Sequence, residues 1–357
     1  MKILWDFRLF SYQYKSRGVG TFAMRMADAL LSDRAFQMNN LLIWGNRACL
    51  PERFANLPVR YIPYTKGSWL SDLFVIPLLV VRYRIAIVHY WVALGPIFKI
   101  GMGLPLGFKT IGTIHDLGVE YWTGIPFLAA RKKTRFWCVQ KSIARYLSAL
   151  VCNSESTRSE CVSLFGKNAT AVTIPLPIGA LSQPPAPIAR QPFFITLAGG
   201  HHKNVVAIVN GFALFRKKFP AYTLYVLGDG DHESAAVAAD LDGVLFEPMT
   251  RYRDYLDLST ALIFCSLHEG LGIPPIEAME HGCPLVLSDI AVLHEVCGNA
   301  ARYADPHSPS AIAQALESVA RDNRLWQECS CRGRLAYQKR SQGCAARWIE
   351  LYKKIIE

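Results

Sequence analysis

"ALIFCSLHEGLGIPPIEAMEHGCPLVLSD", residues 261–289, packs a strand, a loop, a helix and a second strand into one short stretch. The apolar run "ALIFCS" predicts a buried strand, and "LHEGLGI" is the loop that leaves it. "PPIEAMEHG" predicts a helix, with proline at its first positions, where a missing N–H costs nothing, and Gly282 just beyond its end. "CPLVLSD" is again strand-like. Two strands apolar along their whole length, joined by a helix, predict a parallel sheet covered on both faces. Two carboxylates frame the turn: Glu269 at the carboxyl end of the first strand and Glu277 in the first turns of the helix.

The same rhythm runs through the chain. "KILWD", "QMNNLLIWG", "IAIVHYW", "KTIGTIHD", "ALVCNS" and "ATAVTIP" are strand-like in the first half, and "FFITLAG", "YTLYVLGD" and "GVLFE" in the second. Between the halves, "LPIGALSQPPAPIARQP" is too rich in proline and small residues for a helix and predicts a linker. The 357 residues exceed what one core of roughly 250 to 300 residues holds, so two domains are expected. The final segments, from "PSAIAQALESVARDN" to "CAARWIELYKKII", are helical by period. Several strands end in a polar residue or glycine, among them Asp116, Asn153, Gly199 and Gly228. Open parallel sheets bind ligands beyond those ends, and two such sheets facing one another would make a cleft.

Composition narrows the function. Residues 1–180 hold 22 Lys and Arg against 9 Asp and Glu, a net of +13, whereas residues 181–357 hold 17 against 19, a net of −2. The first half is therefore expected to face something anionic. Ten cysteines without a CxxC pair indicate cytosolic thiols, not a disulfide framework or zinc site. The opening "MKILWDFRLF" lacks the apolar stretch of a signal peptide, so a cytoplasmic location is expected. The most apolar region, Trp69 to Trp91, is interrupted by Asp72, Pro77, Arg82 and Arg84 and predicts no membrane span. In "FLAARKKTRFWCVQKSIARYL", Arg131, Lys132, Lys133, Arg135, Lys141 and Arg145 accompany Phe136, Trp137 and Tyr146. That run suits either a solvated helix face or a helix resting on the anionic inner face of the plasma membrane. No RNA-binding pattern of aromatic and glycine residues accompanies the charge, and nucleic acid is not expected as a partner.

The loop at 268–272 is suited to an anion with sugar attached. Gly270 and Gly272 allow close approach of the backbone, and the free N–H groups of the following helix favour a diphosphate. Glu277 could hold the paired hydroxyls of a ribose, as acidic residues do in dinucleotide sites, or simply favour the helix dipole. "GDGD" at 228–231 follows a strand and has the residues of a turn, so it is not expected to bind metal. His268 and His281 have no partner at metal spacing, and Pro105 removes the helix that "GMGLPLG" at 101–107 would need as a nucleotide loop.

"SLHEGLGIPPIEAMEHGCPLVLSD" resembles the signature of the family 4 retaining glycosyltransferases, α/β proteins of the GT-B fold with two Rossmann-like domains facing a cleft. Other stretches are similar in the same order: "SRGVGTFAMRMADAL", "TIHDLGVEYW", "VCNSESTRSECVSLFG", "VTIPLPIG", "LAGGHHKNVVAIVNGFALF" and "CGNAARYADPHSPSAIAQAL". The resemblance covers nearly the whole chain, and the most similar kind is the mannosyltransferases of bacterial surface polysaccharides. It implies an acceptor-binding domain at 1–180, a nucleotide-sugar-binding domain at 181–335, and a terminal helix at 336–357 that packs toward the first domain. It further implies a nucleotide-sugar donor, GDP-mannose or a UDP-sugar, a glycan or lipid-linked acceptor, and no cofactor or metal. Glu269 would approach the donor sugar, with the amides of Gly270, Leu271 and Gly272 beside sugar or phosphate, while Glu277 holds the ribose and Lys203 the diphosphate. Gly18 and Gly20 would let the first loop close over the phosphates, and His115, with Asp116 beside it, would reach the sugar from the acceptor side. Two departures stand out: His201 and His202 occupy the place where the family often has an arginine, and Leu271 replaces a common aromatic residue. Two other functions fit parts of the pattern: a glycoside hydrolase using Glu269 and Glu277, and a nucleotide-sugar-binding protein without catalysis.

Overall fold

The computed structural model describes residues 2–8, 18–31, 40–63, 74–91, 108–117, 147–166, 171–176, 190–228, 241–341 and 343–357. These fall into two compact units. The first takes described residues from Met1–Leu117, Ala130–Gly179 and Ser341–Glu357, and the second those of Ala180–Arg340.

The first unit contains strands β1 (Ile3–Asp6), β2 (Asn40–Trp44), β3 (Val59–Tyr61), β4 (Ile87–Tyr90), β5 (Lys109–Ile114), β6 (Ala149–Cys152) and β7 (Ala171–Thr173). Its helices are α1 (Gly18–Leu31), α2 (Ile76–Tyr83) and α3 (Glu155–Phe165). The strands form one parallel sheet in the order β3-β2-β1-β4-β5-β6-β7. β1, β2, β4 and β6 are buried at every position. That is the cause of their unbroken apolar runs, because a parallel sheet with helices on both faces has no wet side. Ser154 starts α3 by accepting a hydrogen bond from the Thr157 amide, the usual role of a serine at that place.

The last helix of the chain completes this unit. This helix, α10, spans Cys344–Ile356. The ring of His89 on β4 stacks on that of Trp91, 4.2 Å away, and on that of Trp348 of α10, 4.8 Å away, and the two indoles meet each other at 5.6 Å. Its Nδ1 meets the Tyr352 hydroxyl at 2.7 Å and its Nε2 the Thr113 hydroxyl at 2.9 Å. All of these side chains are buried. Burial holds His89 well below its ordinary pKa, and nearby His115 adds to the effect.

The second unit contains β8 (Phe193–Leu197), α4 (Val205–Arg216), β9 (Thr223–Leu227), β10 (Val244–Glu247), α5 (Tyr252–Leu258), β11 (Ala261–Phe264) and α6 (Ile273–His281). It continues with β12 (Leu285–Ser288), α7 (Ala291–Cys297), β13 (Ala301–Ala304), α8 (Pro309–Arg321) and α9 (Asn323–Ser341). Its parallel sheet runs β10-β9-β8-β11-β12-β13. Phe194, Phe212, Phe215, Ile312 and Leu316 anchor the core between this sheet and helices α4 and α8. The two helices touch closely at Gly211, where an added Cβ would lie 2.8 Å from Ile312. Two strands, β3 and β13, were not expected from the sequence. Both are edge strands, and each carries an arginine, Arg60 or Arg302, in its middle.

Candidate functional site

Both sheets reverse their winding between two central strands, β1 and β4 in the first unit and β8 and β11 in the second. Crossovers on either side of such a point leave in opposite directions, so the carboxyl ends of the two strands open a crevice. The loops that follow β8 and β11 carry Lys203 and Glu269. Their side chains form an ion pair at 2.7 Å, with 16% and 12% of their surface exposed. The Lys203 ammonium also stands 4.4 Å from the centre of the Phe264 ring. A cation and an anion are thus concentrated where the topology of the second sheet makes room for a ligand.

The loop after β8 is shaped by its backbone. Gly200 has φ 98°, and the residue that opens α4, Asn204, is left-handed at φ 59°. The Asn204 side-chain amide donates to the carbonyls of Cys265 at 3.0 Å and Pro306 at 2.8 Å. That one side chain ties the loops after β8, β11 and β13 together. The Leu267 amide donates to the His202 carbonyl at 2.8 Å and joins the same two loops again.

The histidines before Lys203 differ. His202 is half-buried, its ring lies 3.2 Å from where a Cβ on Gly200 would stand, and its Nδ1 finds no hydrogen-bond partner among the described residues. Burial, and then the Lys203 charge, lower its pKa to about 4, so at neutral pH it carries no charge. His201 is exposed and, with Gly200, Asn204, Asn210 and His307, lines a recess of about 300 Å³ beside the start of α4.

After β11, the chain enters α6 at Gly272, whose φ of 79° is left-handed. A side chain there would also collide with Leu293, 2.8 Å from an added Cβ. Pro274 and Pro275 occupy the first turn, where α-helical amides lack partners in any case, and Gly282 closes the helix at φ 70°. Gly270 and Leu271 are buried, and Leu271, at 3% exposure, points into the core. Glu277 lies on α6 and is half-buried. His281 pairs with Asp257 at 2.7 Å.

In the first unit, His115 and Asp116 leave the carboxyl end of β5. The His115 Nε2 lies 2.7 Å from the Trp91 carbonyl, an acceptor only, so Nε2 carries the proton and Nδ1 is left as an acceptor. The ring meets Phe22 of α1 edge-on at 5.0 Å, and the His115 carbonyl accepts from Asn153 at 2.8 Å. Burial lowers its pKa to about 4. Gly18 is exposed and Gly20 buried in the first turn of α1, the helix that carries Phe22. The structure therefore brings Lys203 and Glu269 together in one unit, and His115 and the start of α1 together in the other.

A charged pair at the end of β1 escaped notice in the sequence. The Arg8 guanidinium makes two bonds to Asp6, at 2.9 and 2.8 Å, and is wholly buried. Aspartate and arginine two apart at a strand end, where alternate residues share a face, is the signal that could have found it. The basic run at 131–146, "GMGLPLG" and all of "GDGD" but Gly228 lie outside the described residues. Among the described residues no cluster of three or more His, Cys, Asp or Glu side chains could hold a metal ion, and no helix is long and apolar enough to cross a membrane.

Residues 192–322 match the family described as Glycosyl transferases group 1. The chain is 23% identical to the O-antigen chain mannosyltransferase RfbU of Salmonella typhimurium, over 64% of this chain and 69% of that protein. It is 26% identical to the O-antigen chain mannosyltransferase B of Escherichia coli, over 69% and 70% of the two chains. Among solved structures, Anabaena Alr3699/HepE in complex with UDP and glucose aligns with a TM-score of 0.75 at 14% identity, covering 99% of each chain. Sucrose-phosphate synthase from Thermosynechococcus elongatus aligns with a TM-score of 0.74 at 16% identity, again over 99% of each. The solved structures show the fold, and the matched domain together with the mannosyltransferase relatives supports a hexosyltransferase like those of the group 1, family 4-like glycosyltransferases.

Proposed function

We propose that the protein transfers mannose, with retention of the anomeric configuration, from a nucleoside diphosphate sugar to a lipid-linked or growing surface-polysaccharide acceptor. The observation that carries this reading is the Lys203–Glu269 pair at the switch point of the second sheet. The mannosyltransferase relatives support the choice of sugar and acceptor class, and the UDP bound in the Anabaena neighbour supports a nucleotide donor.

In this reading Lys203 leaves Glu269 for the diphosphate, and Glu269 is released toward the sugar hydroxyls. As the bond from the anomeric carbon to the diphosphate breaks, negative charge grows on the departing phosphate, and a fixed ammonium in a mostly dry site stabilises it. The dipole of α6 adds to that field, and Glu277 holds the ribose. His202 is neutral and tucked under Gly200, so it supplies no charge in place of the family's arginine. The demand on Lys203 is correspondingly greater. His115, neutral and with Nδ1 as an acceptor, receives a hydroxyl of the sugar, with Asp116 beside it, and Gly18 and Gly20 let the start of α1 approach the phosphates. The transfer needs no cofactor, and the protein works at the cytoplasmic face of the membrane.

The test is a panel of GDP- and UDP-sugars scored for nucleoside diphosphate release, followed by NMR of the product's anomeric proton. Release from GDP-mannose with an α-linked product supports the proposal. Turnover confined to another sugar, or a β-linked product, would refute the sugar or the retention. Hydrolysis to free sugar that no acceptor suppresses would favour a hydrolase.

A further inference from the structure

Helix α2 is apolar on both sides. Ile76, Leu79 and Val80 point inward and pack with Leu4, Ile43, Ile62 and Val88. Outward, Phe74 is 63% exposed, Leu78 64% and Val81 63%, spaced by four and then three residues and so aligned on one face. A helix that is apolar all round is ordinarily buried, which makes this open face exceptional. Arginines rim it: Arg60, Arg82 and Arg84 are all exposed. Arg60 donates to the Tyr83 hydroxyl at 3.0 Å and lies 5.2 Å from the centre of its ring, and Arg82 lies 5.8 Å from the same centre. Stretches 59–63 and 74–91 contain no carboxylate. The patch therefore joins three large apolar side chains to positive charge of a single sign.

We propose that this face of α2 inserts into an anionic lipid surface, with Phe74, Leu78 and Val81 entering the acyl boundary and Arg60, Arg82 and Arg84 engaging headgroup phosphates. The proposal rests on the reading of a lipid-linked acceptor and names the surface by which the enzyme reaches it. Charge complementarity selects the occupant. A second copy docked symmetrically would bring each arginine rim against its twin, like charge on like, whereas anionic headgroups neutralise all three. Apolar insertion and headgroup attraction act together in such binding, so loss of either weakens it in its own way.

The experiment is co-sedimentation of the full chain with phosphatidylcholine vesicles, with and without phosphatidylglycerol, in low and high salt. The expected result is strong sedimentation with the anionic vesicles alone, reduced by salt. L78Q/V81Q should lower the bound fraction about tenfold at every salt concentration. R60Q/R82Q/R84Q should remove the preference for anionic lipid. Both variants alter exposed side chains, and unchanged nucleotide binding in solution checks that the donor site is intact, separately from the membrane result. Equal sedimentation of L78Q/V81Q and wild type would overturn the proposal. So would a concentration-dependent dimer, seen by sedimentation velocity and abolished by L78Q/V81Q, in a protein that ignores vesicles. Failure of nucleotide binding in the wild type would instead count against the proposed function.

Discussion

The two sheets share their central strand order, and each places an ion pair at or just beyond its switch point, yet the two pairs are built to opposite ends. In the first unit Arg8 and Asp6 are sealed, with 0% and 5% of their side chains exposed, held by two short bonds. In the second, Lys203 and Glu269 keep 16% and 12% exposure and meet through a single contact. Topology chooses where charge is gathered, but access and the number of bonds decide whether it can change partners. A sealed, doubly bonded pair is part of the structure. An accessible, singly bonded one can be opened by a ligand with better charge.

The contrast is broken most severely by Arg8→Ala. Removing one member of a buried pair strands the other, and the expected loss is about 3 to 5 kcal/mol of stability by urea unfolding. A loss under about 1 kcal/mol would show that the pair is not sealed in solution. Lys203→Ala should leave stability nearly unchanged and lower turnover by roughly a hundredfold to a thousandfold, the worth of one donor aimed at a developing charge. Unchanged turnover would remove Lys203 from the chemistry. The third test uses acid. The folded pKa values of His89 and His115 lie below the unfolded value, His115 at about 4. Below pH ~6.5 the unfolded chain takes up protons that the native chain refuses, so stability should fall on acidification at up to about 1.4 kcal/mol per pH unit for each histidine. A flat profile between pH 6.5 and 5 would mean that both rings take up a proton in place. The smallest effect is expected of Glu269→Gln. Freed from its partner, Lys203 should bind free nucleoside diphosphate about threefold more tightly, the order of gain expected from releasing one ion pair, while turnover drops. Weaker nucleotide binding, measured by calorimetry, would mean that Glu269 holds Lys203 in place for the diphosphate.

Much of this was legible in the sequence, for a physical reason. Strands buried on both faces, such as β8 and β11, must be apolar throughout, and they stand out as runs like "FFITL" and "ALIF". β3 and β13 did not, because an edge strand of three or four residues with an arginine in it has no such run. The turn into α6 was plain because only glycine fits its left-handed entry and prolines suit its first turn. The adjacent His201 and His202 could not be told apart from spacing, since what separates them is the fold of Gly200 over one ring. Nor could the pairing of His89 with Tyr352, 263 residues apart, be read from either segment alone.

That last contact sets an order on synthesis. The cluster of Trp91, His89 and Trp348 belongs to the unit whose sheet is made first, but Trp348 follows the described residues of the second unit in the chain. Chains emerge from the ribosome at about 5 to 20 residues per second, and domains fold as they become complete. The second unit, whose described residues run from Arg190 to Arg340, thus has them all before the first can close its core. Until then the first unit waits with His89 and Trp91 uncovered, so the part of the molecule begun earliest is the last to be finished.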